Sequence, residues 1–392
     1  MLLGRAIGHK TEKELTLPVA WEDVFRLAGT QNVFPLVFEA ASAVPGFTGD
    51  AQYVKYMSKA LKQTSDQIRQ THAFLLLYQA FLESGLHPLV IKGIVCRQLY
   101  GALCDHRPSG DEDILIQKQE FESVSRVFLS KGYRSEYEAV TDLQLERLQE
   151  ITFSDPESGL RVEVHINLFG NTNDRRTKMN QYFRKVFQTP RKVLLDGTEL
   201  WTMCHTDHFL FLVLHASNHL TGGFGVRLML DILQYLERYG KEIDWEYVDR
   251  ILQEMGAQFF LSDLIMIGNQ YFGFQLEMTG PPGCPEALLE DMLSSGVFGN
   301  ATQSQRTASN MTRLVRSGHP VKTALLFVFP ERRYFVRVCP EILEHPWLLP
   351  VCWVRRWLLF LRRNRKEGGR LMAESNRIRK RRKMLLKQYG VL

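Results

Sequence analysis

The sequence has few cysteines and no long apolar run, and both absences exclude classes of protein. Its 392 residues include six cysteines and no CxxC pair. This spacing argues against a zinc knuckle and a disulfide framework, and it fits a reducing compartment. No apolar run reaches the roughly 18 residues that would span a bilayer. Polar residues follow Met1-Leu2-Leu3-Gly4-Arg5, so we expect no N-terminal signal and a cytoplasmic protein.

Positive charge is abundant, and it is concentrated near the C-terminus. The formal net charge is +6, and Lys and Arg crowd residues 355–387, including the run RIRKRRK at 377–383. Either this tail is a solvated basic helix, or it contacts an anionic partner such as nucleic acid or anionic lipid. Aromatic residues are scarce within the tail, so the sequence does not favour an RNA partner. The Trp-rich stretch 345–353 is either buried or lies on a membrane surface.

The order of periodic segments predicts an α+β fold with several units packed together. Helical spacing of apolar residues predicts helices over 21–41 and 51–84. Asp196-Gly197 predicts a hairpin turn, and the Pro-Gly-rich segment 281–285 predicts a boundary loop. We therefore expect an N-terminal helical region (1–86), a core with a small mixed sheet (87–202), a helical region that packs on it (203–280), and a C-terminal helical region with a basic tail (281–392).

The stretch 89–116 carries the first chemically informative pattern. A short apolar run, 89–91, predicts a strand that ends in Lys92-Gly93. A helix, a turn at 107–110 and a second strand at 111–116 follow. Successive side chains on a strand alternate in direction, so Asp111 and Asp113 share one face. Two carboxylates held side by side repel each other unless a proton or a cation lies between them.

A later strand supplies a third acid. Residues 160–168 alternate strongly enough to predict a strand, in which Glu163, His165 and Asn167 share one face. If this strand lies beside the first, Asp111, Asp113 and Glu163 form a hard oxygen cluster suited to Mg²⁺ or Mn²⁺.

Several of these features together resemble a known family. They are the strand ending in Lys-Gly, the Leu99-Tyr100 pair, the Arg-Pro-x-Gly-Asp-x-Asp segment at 107–113 and the Val-Glu-Val-His strand at 162–165. The sequence is similar to the minimal nucleotidyltransferases of the DNA polymerase β superfamily and, within it, to the family of uncharacterised nucleotidyltransferases. The similarity covers roughly the first three quarters of the chain, including 34–36, 215–219, 223–227 and Asp231.

The resemblance implies a polymerase β-like core and a reaction that uses two divalent ions, Mg²⁺ or Mn²⁺. Asp111 and Asp113 would bind both ions, and Glu163 would bind the ion that activates the acceptor. The enzyme would transfer NMP, most often AMP among related minimal enzymes, from NTP to a hydroxyl and release pyrophosphate. A small metabolite, a sugar, a protein side chain and an RNA end are all compatible acceptors.

The turns beside the acids hold the expected phosphate contacts. Lys92, Gly93 and Gly110 are assigned to nucleotide or phosphate binding, because a helix N-terminus after Gly93 would present free N–H groups to an anion. Lys92 pairs either with a phosphate or with Asp111, or it is purely structural. Arg107 has a fork suited to phosphate, but an ion pair bracing the turn explains it equally well.

Two further residues are candidate contacts to the acceptor or the base. His165 shares the face of Glu163, although a histidine at a strand end is often only a satisfied hydrogen-bond partner. Arg227 is followed one helical turn later by Asp231, and the simplest interpretation is an ion pair on one helix face. A substrate contact by Arg227 is the alternative.

One residue departs from the superfamily pattern, and two motifs are set aside. Glu112 stands between the aspartates where an apolar residue is usual, so either the reverse face of the strand is partly open or Glu112 has a basic partner. His215 and His219 have the spacing of a metalloprotease pair, but Ala216 occupies the position of the catalytic glutamate. Cys204-His205-x-x-His208 lacks further soft ligands and is interpreted as a helix start.

Two other classes of function stay open. A non-catalytic nucleotide-sensing or interaction protein would retain the fold, although intact acids at 111, 113 and 163 argue against it. A membrane-surface or scaffold protein would act through its basic, Trp-containing C-terminal third.

Overall fold

A computed structural model describes most of the chain and all of its predicted core except residues 138–139 and 171–173. The described residues are 1–10, 18–137, 140–170, 174–297, 302, 304–309, 325, 328–330, 335, 342, 345–364 and 368–391. Residues 324, 326 and 327 of the apolar run at 324–330, and much of the predicted C-terminal region between 298 and 345, lie outside them.

In the described part of the chain, helices precede, interrupt and follow one mixed sheet. The helices are α1 (Leu2–Ala6), α2 (Trp21–Thr30), α3 (Phe34–Ser42), α4 (Tyr53–Glu83), α5 (Ile94–Arg97), α6 (Phe121–Ser130), α7 (Asp142–Arg147), α8 (Asp174–Tyr182), α9 (His205–His219), α10 (Val226–Tyr239), α11 (Trp245–Glu254), α12 (Gln258–Ile267), α13 (Pro285–Ser295), α14 (Leu349–Asn364) and α15 (Gly368–Gln388). A 3₁₀ segment, Gln98–His106, continues α5, and a π-helical turn, Gly268–Phe272, continues α12. The strands are β1 (Leu89–Val90), β2 (Glu112–Leu115), β3 (Arg134–Ser135), β4 (Glu150–Ser154), β5 (Arg161–His165), β6 (Arg191–Leu195) and β7 (Thr198–Thr202).

The seven strands lie in the order β3-β4-β5-β2-β1-β7-β6. β2 runs parallel to β5 and antiparallel to β1, so the sheet is mixed. β6 and β7 form the predicted hairpin, and Asp196 and Gly197 both have positive φ, as a tight turn with right-handed strand twist requires. The predicted α+β class, with a mixed sheet among helices, is therefore confirmed.

The helix predicted over 21–41 is two helices, and this is a correction of detail. α2 ends at Thr30 and α3 begins at Phe34. Asn32, between them, has φ 52°, which an L residue cannot hold inside a right-handed helix. Pro35 then stands in the first turn of α3, where its missing N–H has no helical partner to lose. Apolar periodicity alone hides such a break because it continues through both helices.

Two apolar clusters position the sheet. One lies between α4, α6 and the face of the sheet that carries Val90, Ile114 and Val164. The larger cluster joins the N-terminal helices, α9 to α13 and the opposite face of the sheet through Leu89 and Leu115. The carboxylates of β2 and β5 thus lie on the face that the helical second half approaches.

The C-terminal helix is attached to the fold by a buried arginine. Arg382 of α15 is fully buried and forms an ion pair with Asp291 of α13 at 3.2 Å. Leu385, Leu386 and Tyr389 belong to the large apolar cluster. Part of the basic tail is therefore structural, while Arg377, Lys380, Lys383 and Lys387 are exposed. Within the described ranges, none of the helices is both long and apolar enough to cross a membrane.

Candidate active site

The register of two parallel strands brings two acids side by side. Asp113 of β2 lies opposite Glu163 of β5, and Leu115 lies opposite His165. Side chains at paired positions share a face, and diagonal neighbours are within reach of long side chains. Asp113, Glu163 and His165 offer ligand atoms that all lie within 4.8 Å of one another, and across the described ranges these three form the one such group. We call them the carboxylate–histidine cluster.

Asp113 is the centre of this cluster. Its Oδ1 accepts a hydrogen bond from Lys92 Nζ at 2.9 Å and lies 3.0 Å from His165 Nε2. Burial alone would raise the pKa of Asp113, but Lys92 and His165 outweigh it and hold the pKa well below its usual range. For Lys92 the balance is the opposite: burial alone would lower its pKa, but the negative charges of Asp113 and Asp111 outweigh burial and raise it. Both groups are therefore charged at neutral pH.

Glu163 is crowded by negative charge. Burial, followed by the charges of Asp113, Asp111 and Glu150, raises the pKa of Glu163 to about 9. Glu163 is consequently protonated at neutral pH without a metal ion. When neighbouring carboxylates cannot all ionise together, a cation bound between them would compensate their charge. With two carboxylates and one imidazole in reach, the residues present fit a Mg²⁺- or Mn²⁺-sized ion.

Asp111 lies near the cluster but is not a member of it. It precedes the first residue of β2 and is half-buried. Its ligand atoms are outside the 4.8 Å group, although its charge raises the pKa of both Lys92 and Glu163. Its predicted role as a ligand of two ions stays a prediction.

Glu112 points to the reverse face of β2. It has a basic partner there, which was the alternative to a partly open face. Arg97 Nη1 lies 2.6 Å from its Oε1, and both side chains are buried. Its Oε2 also accepts the N–H of Ile94, at 2.6 Å. Burial still raises the pKa of Glu112, against the lowering effect of Arg97. Sequence reasoning did not identify Arg97. The only signal for it was Glu112 itself, because a buried carboxylate requires a basic residue nearby.

This contact also gives Gly93 a structural role. Gly93 has φ 62°, and a Cβ built on it would lie 2.0 Å from Glu112 Oε2. Only glycine fits both the backbone conformation and the space. Because Glu112 occupies the Ile94 N–H, that group is not free for a phosphate in this structure, and α5 has only four residues. Phosphate binding by Lys92 and Gly93 stays a prediction.

The turn that leads into β2 is braced from the helical half of the chain. Arg107 Nε donates to Asp231 Oδ1 at 2.7 Å, Nη2 donates to Oδ2, and Tyr100 donates to the same carboxylate at 2.9 Å. This pairing favours the bracing role of Arg107 over a phosphate contact. The expected ion pair between Arg227 and Asp231 is wrong, since Asp231 binds Arg107 and Arg227 donates to the carbonyl of Pro108. Gly110 ends this turn and is exposed.

Two further histidines, His208 and His215, are buried on α9. His215 is buried on α9, and its pKa is lowered by burial and then by the charges of Lys92, His219 and His165, so it is neutral. His208 is also buried, and its Nε2 contacts the carbonyl of Ile91. His208 and Cys204 are absent from any metal-ligand group in the part of the chain that the structure describes.

Comparison with known proteins identifies one family. The model of a family described as "Uncharacterised nucleotidyltransferase" matches residues 18–273, about two thirds of the chain. The match includes every residue of the carboxylate–histidine cluster and ends before α13. Neither a curated protein nor a solved structure matches the chain.

Proposed function

Because the chain belongs to the uncharacterised nucleotidyltransferase family, we propose that it is a metal-dependent enzyme that transfers NMP from an NTP to an acceptor hydroxyl. Pyrophosphate is the second product, and ATP is the first donor to test. The observation that carries the proposal is the pairing of Asp113 with Glu163 across parallel strands, with His165 within ligand distance.

Asp113 and Glu163 would hold a divalent ion, His165 is a third donor, and Asp111 would complete a second ion's ligands. Ions bound there supply positive charge for the phosphates and lower the pKa of the acceptor hydroxyl. A ligand set of carboxylate oxygens and one imidazole suits Mn²⁺ as well as Mg²⁺.

The protein's own groups support the same chemistry. The charged Lys92 side chain is 16% exposed and lies 2.9 Å from Asp113, where an ammonium can bind a phosphate oxygen as a point charge. His165 holds the Asp113 carboxylate by a hydrogen bond and so fixes its orientation. The Arg107–Asp231 pair ties the turn before Asp111 to α10, which limits the movement of that turn when substrate binds.

One contact favours the non-catalytic alternative. The Lys92–Asp113 ion pair already neutralises one carboxylate without any metal. A nucleotide-sensing protein that never binds metal would be expected to keep this pair. Metal-dependent nucleotide binding separates the two functions, because only the transferase requires it.

The test is calorimetric titration of the full chain with non-hydrolysable NTP analogues, with and without Mg²⁺ or Mn²⁺. We expect metal-dependent binding that is lost in Asp113→Asn and in Glu163→Gln. Glu157→Gln is the matched control, because Glu157 has the same charge, is exposed in the turn before β5 and is outside the cluster. It should bind the nucleotide as the wild type does.

Three outcomes are decisive. Absence of nucleotide binding by the folded wild type refutes the proposal. Metal-independent binding supports the sensing protein. Equal loss in Glu157→Gln would show that net negative charge, and not the cluster, determines binding. Cytoplasmic localisation and an anionic partner for the exposed residues of α15 stay predictions.

A further inference from the structure

The segment that contains the last two helices, α14 and α15, is strongly basic. Residues 346–391 include fourteen Lys and Arg but only two acids, Glu367 and Glu374. Because the formal charge of the whole chain is +6, the rest of the chain is negative on balance. This segment is therefore the part of the protein that attracts an anionic partner.

One face of α14 is packed, and it carries two tryptophans. Trp353 Nε1 donates to the carbonyl of Pro330 at 2.9 Å. Trp357 Nε1 donates to the carbonyl of Val328 at 3.0 Å. The ring of Phe329 contacts both indoles edge to face. Trp353 also packs on a small apolar cluster, whose buried members are Phe335, Ile342 and Cys352. This face of the helix thus has its partners within the chain.

A second face of α14 is apolar as well, and it is exposed. Val351, Val354 and Leu358 lie three and four residues apart, so they share one face of the helix, and Leu359 borders it. These four side chains are 45–58% exposed. Trp347, one turn before Val351, is 71% exposed. We call these five residues the apolar stripe. Contiguous apolar side chains that stay exposed mark an interaction surface, whereas isolated ones do not.

Cationic side chains accompany the apolar stripe and continue beyond it. Arg355 is exposed one turn after Val351, on the face of the stripe itself. Three residues separate the end of α14 from the start of α15, which is fixed to the fold through buried Arg382. The exposed face of α15 adds four cations: Arg377, Lys380, Lys383 and Lys387. Long basic side chains keep their charge in water while their stems cover apolar surface.

We propose that α14 lies in the surface of a membrane that contains anionic lipid, with the apolar stripe in the headgroup layer and the exposed cations of α15 against anionic headgroups. This inference goes beyond the proposed function and does not depend on it. Such a surface matches both features, because apolar side chains enter the boundary between headgroups and acyl chains and basic residues are attracted to the negative surface. Trp347, at the end of the stripe, is of the residue type that is enriched at this boundary.

Two other occupants match only one of the two features. A nucleic acid would pair with the cations through its phosphates, but it would not bury the apolar stripe. A second copy of the chain would cover the stripe. In a two-fold dimer the same surface meets itself, so the cations of one copy would approach those of the other. Charge complementarity therefore favours the anionic membrane over both.

The test is flotation of the full chain with vesicles of phosphatidylcholine alone and of phosphatidylcholine mixed with phosphatidylserine. We expect binding to the mixed vesicles, with a blue shift of tryptophan fluorescence as Trp347 leaves water. Val354→Gln combined with Leu358→Gln should weaken binding about tenfold, because less apolar area is buried in the membrane. Lys380→Gln and Lys383→Gln should each weaken it about fivefold, the effect of one basic residue near an anionic surface.

Val54→Gln combined with Leu61→Gln is the matched control. It makes the same substitutions on another helix, α4, at side chains that are 68% and 60% exposed. This variant should bind the mixed vesicles as the wild type does. Both double variants should keep the melting temperature of the wild type, because all four positions are exposed.

Four outcomes would overturn the inference. The folded wild type binds neither kind of vesicle. The variant with Val354→Gln and Leu358→Gln binds the mixed vesicles as tightly as the wild type, so that charge alone attracts the protein. The wild type binds a single-stranded RNA but not the vesicles, so that the cations serve a nucleic acid. Size-exclusion chromatography shows a dimer that the same variant dissociates, so that a second copy covers the stripe. The NTP titration tests the proposed function separately, because it uses no lipid.

Discussion

Asp231 offers the sharpest test of how the turn before Asp111 is held. Its carboxylate accepts three hydrogen bonds, two from Arg107 and one from Tyr100, and both members of the ion pair are almost fully buried, at 4% and 3% side-chain exposure. Asp231→Asn removes the negative charge and leaves the Arg107 guanidinium buried without compensation. Breaking a buried pair in this way costs about 3–5 kcal/mol of unfolding free energy.

An exposed pair of similar length gives the comparison. Arg26 and Asp23 on α2 lie 2.7 Å apart, with side chains 71% and 69% exposed. Because water screens such a pair, Asp23→Asn should change the unfolding free energy by no more than about 1 kcal/mol. The assay is urea denaturation followed by circular dichroism, with both variants and the wild type at the same ionic strength.

A double variant separates the charge from the packing. Arg107→Met with Asp231→Leu replaces the pair by apolar groups, and such replacement of a buried pair is often neutral or stabilising. We therefore expect the double variant to be more stable than Asp231→Asn alone. If Asp231→Asn costs no more than Asp23→Asn, burial does not determine the strength of this contact, and the bracing role of Arg107 must be abandoned.

Three further predictions concern the cluster, the Lys-Gly turn and the C-terminal helix. Burial and nearby negative charge raise the pKa of Glu163 to about 9 from an ordinary 4.5, so the stabilising contribution of this one group to the metal-free fold is full below pH 4.5 and is lost as the pH rises toward 9. Melting temperatures measured from pH 5 to 9 should therefore fall less in Glu163→Gln than in the wild type, and equal slopes would contradict the assigned crowding. Gly93→Ala should destabilise the fold more than Gly101→Ala, because both glycines have positive φ but only at Gly93 does an existing atom, Glu112 Oε2, occupy the place of the new Cβ. Backbone strain, which both variants share, costs about 1–3 kcal/mol. Equal urea midpoints of the two variants would refute the close contact at Gly93. Arg382→Met should lower the free energy of unfolding by about 3–5 kcal/mol, because it leaves buried Asp291 without its partner. The same substitution at exposed Arg377 should be near neutral in the same thermal assay. Equal effects would mean that α15 is not attached through its buried arginine.

The local elements of the fold follow from local signals. The hairpin at Asp196-Gly197, the helix predicted over 51–84 (α4, Tyr53–Glu83) and the helix start at Cys204 lie where turn residues and apolar spacing predict them. Each depends on residues within one turn or one strand, which is the range over which propensity and periodicity act. The break at Asn32 was missed because helical spacing on both sides of it is continuous.

The side-chain partners at the site could not be predicted in the same way. Arg107 was weighed equally as a phosphate contact and as a brace, and Asp231, its partner, is 124 residues away. Arg227 and Asp231 lie one turn apart on α10, but Asp231 binds across to the turn instead. Glu112 required a basic partner, and which residue supplied it depended on how α5 packs behind β2.

Sequence alone determined the family resemblance and the faces of the strands. The alternation of side chains along a strand is local, and it separates Asp113 from Glu112 whatever the strand pairs with. Tertiary structure decided which groups meet. The parallel register of β2 and β5 places Asp113 beside Glu163, and packing of the β1 end places Lys92 on Asp113 and not on Asp111. A shift of one residue in that register would move every partner to the other face, and register is fixed by the whole core, not by either strand.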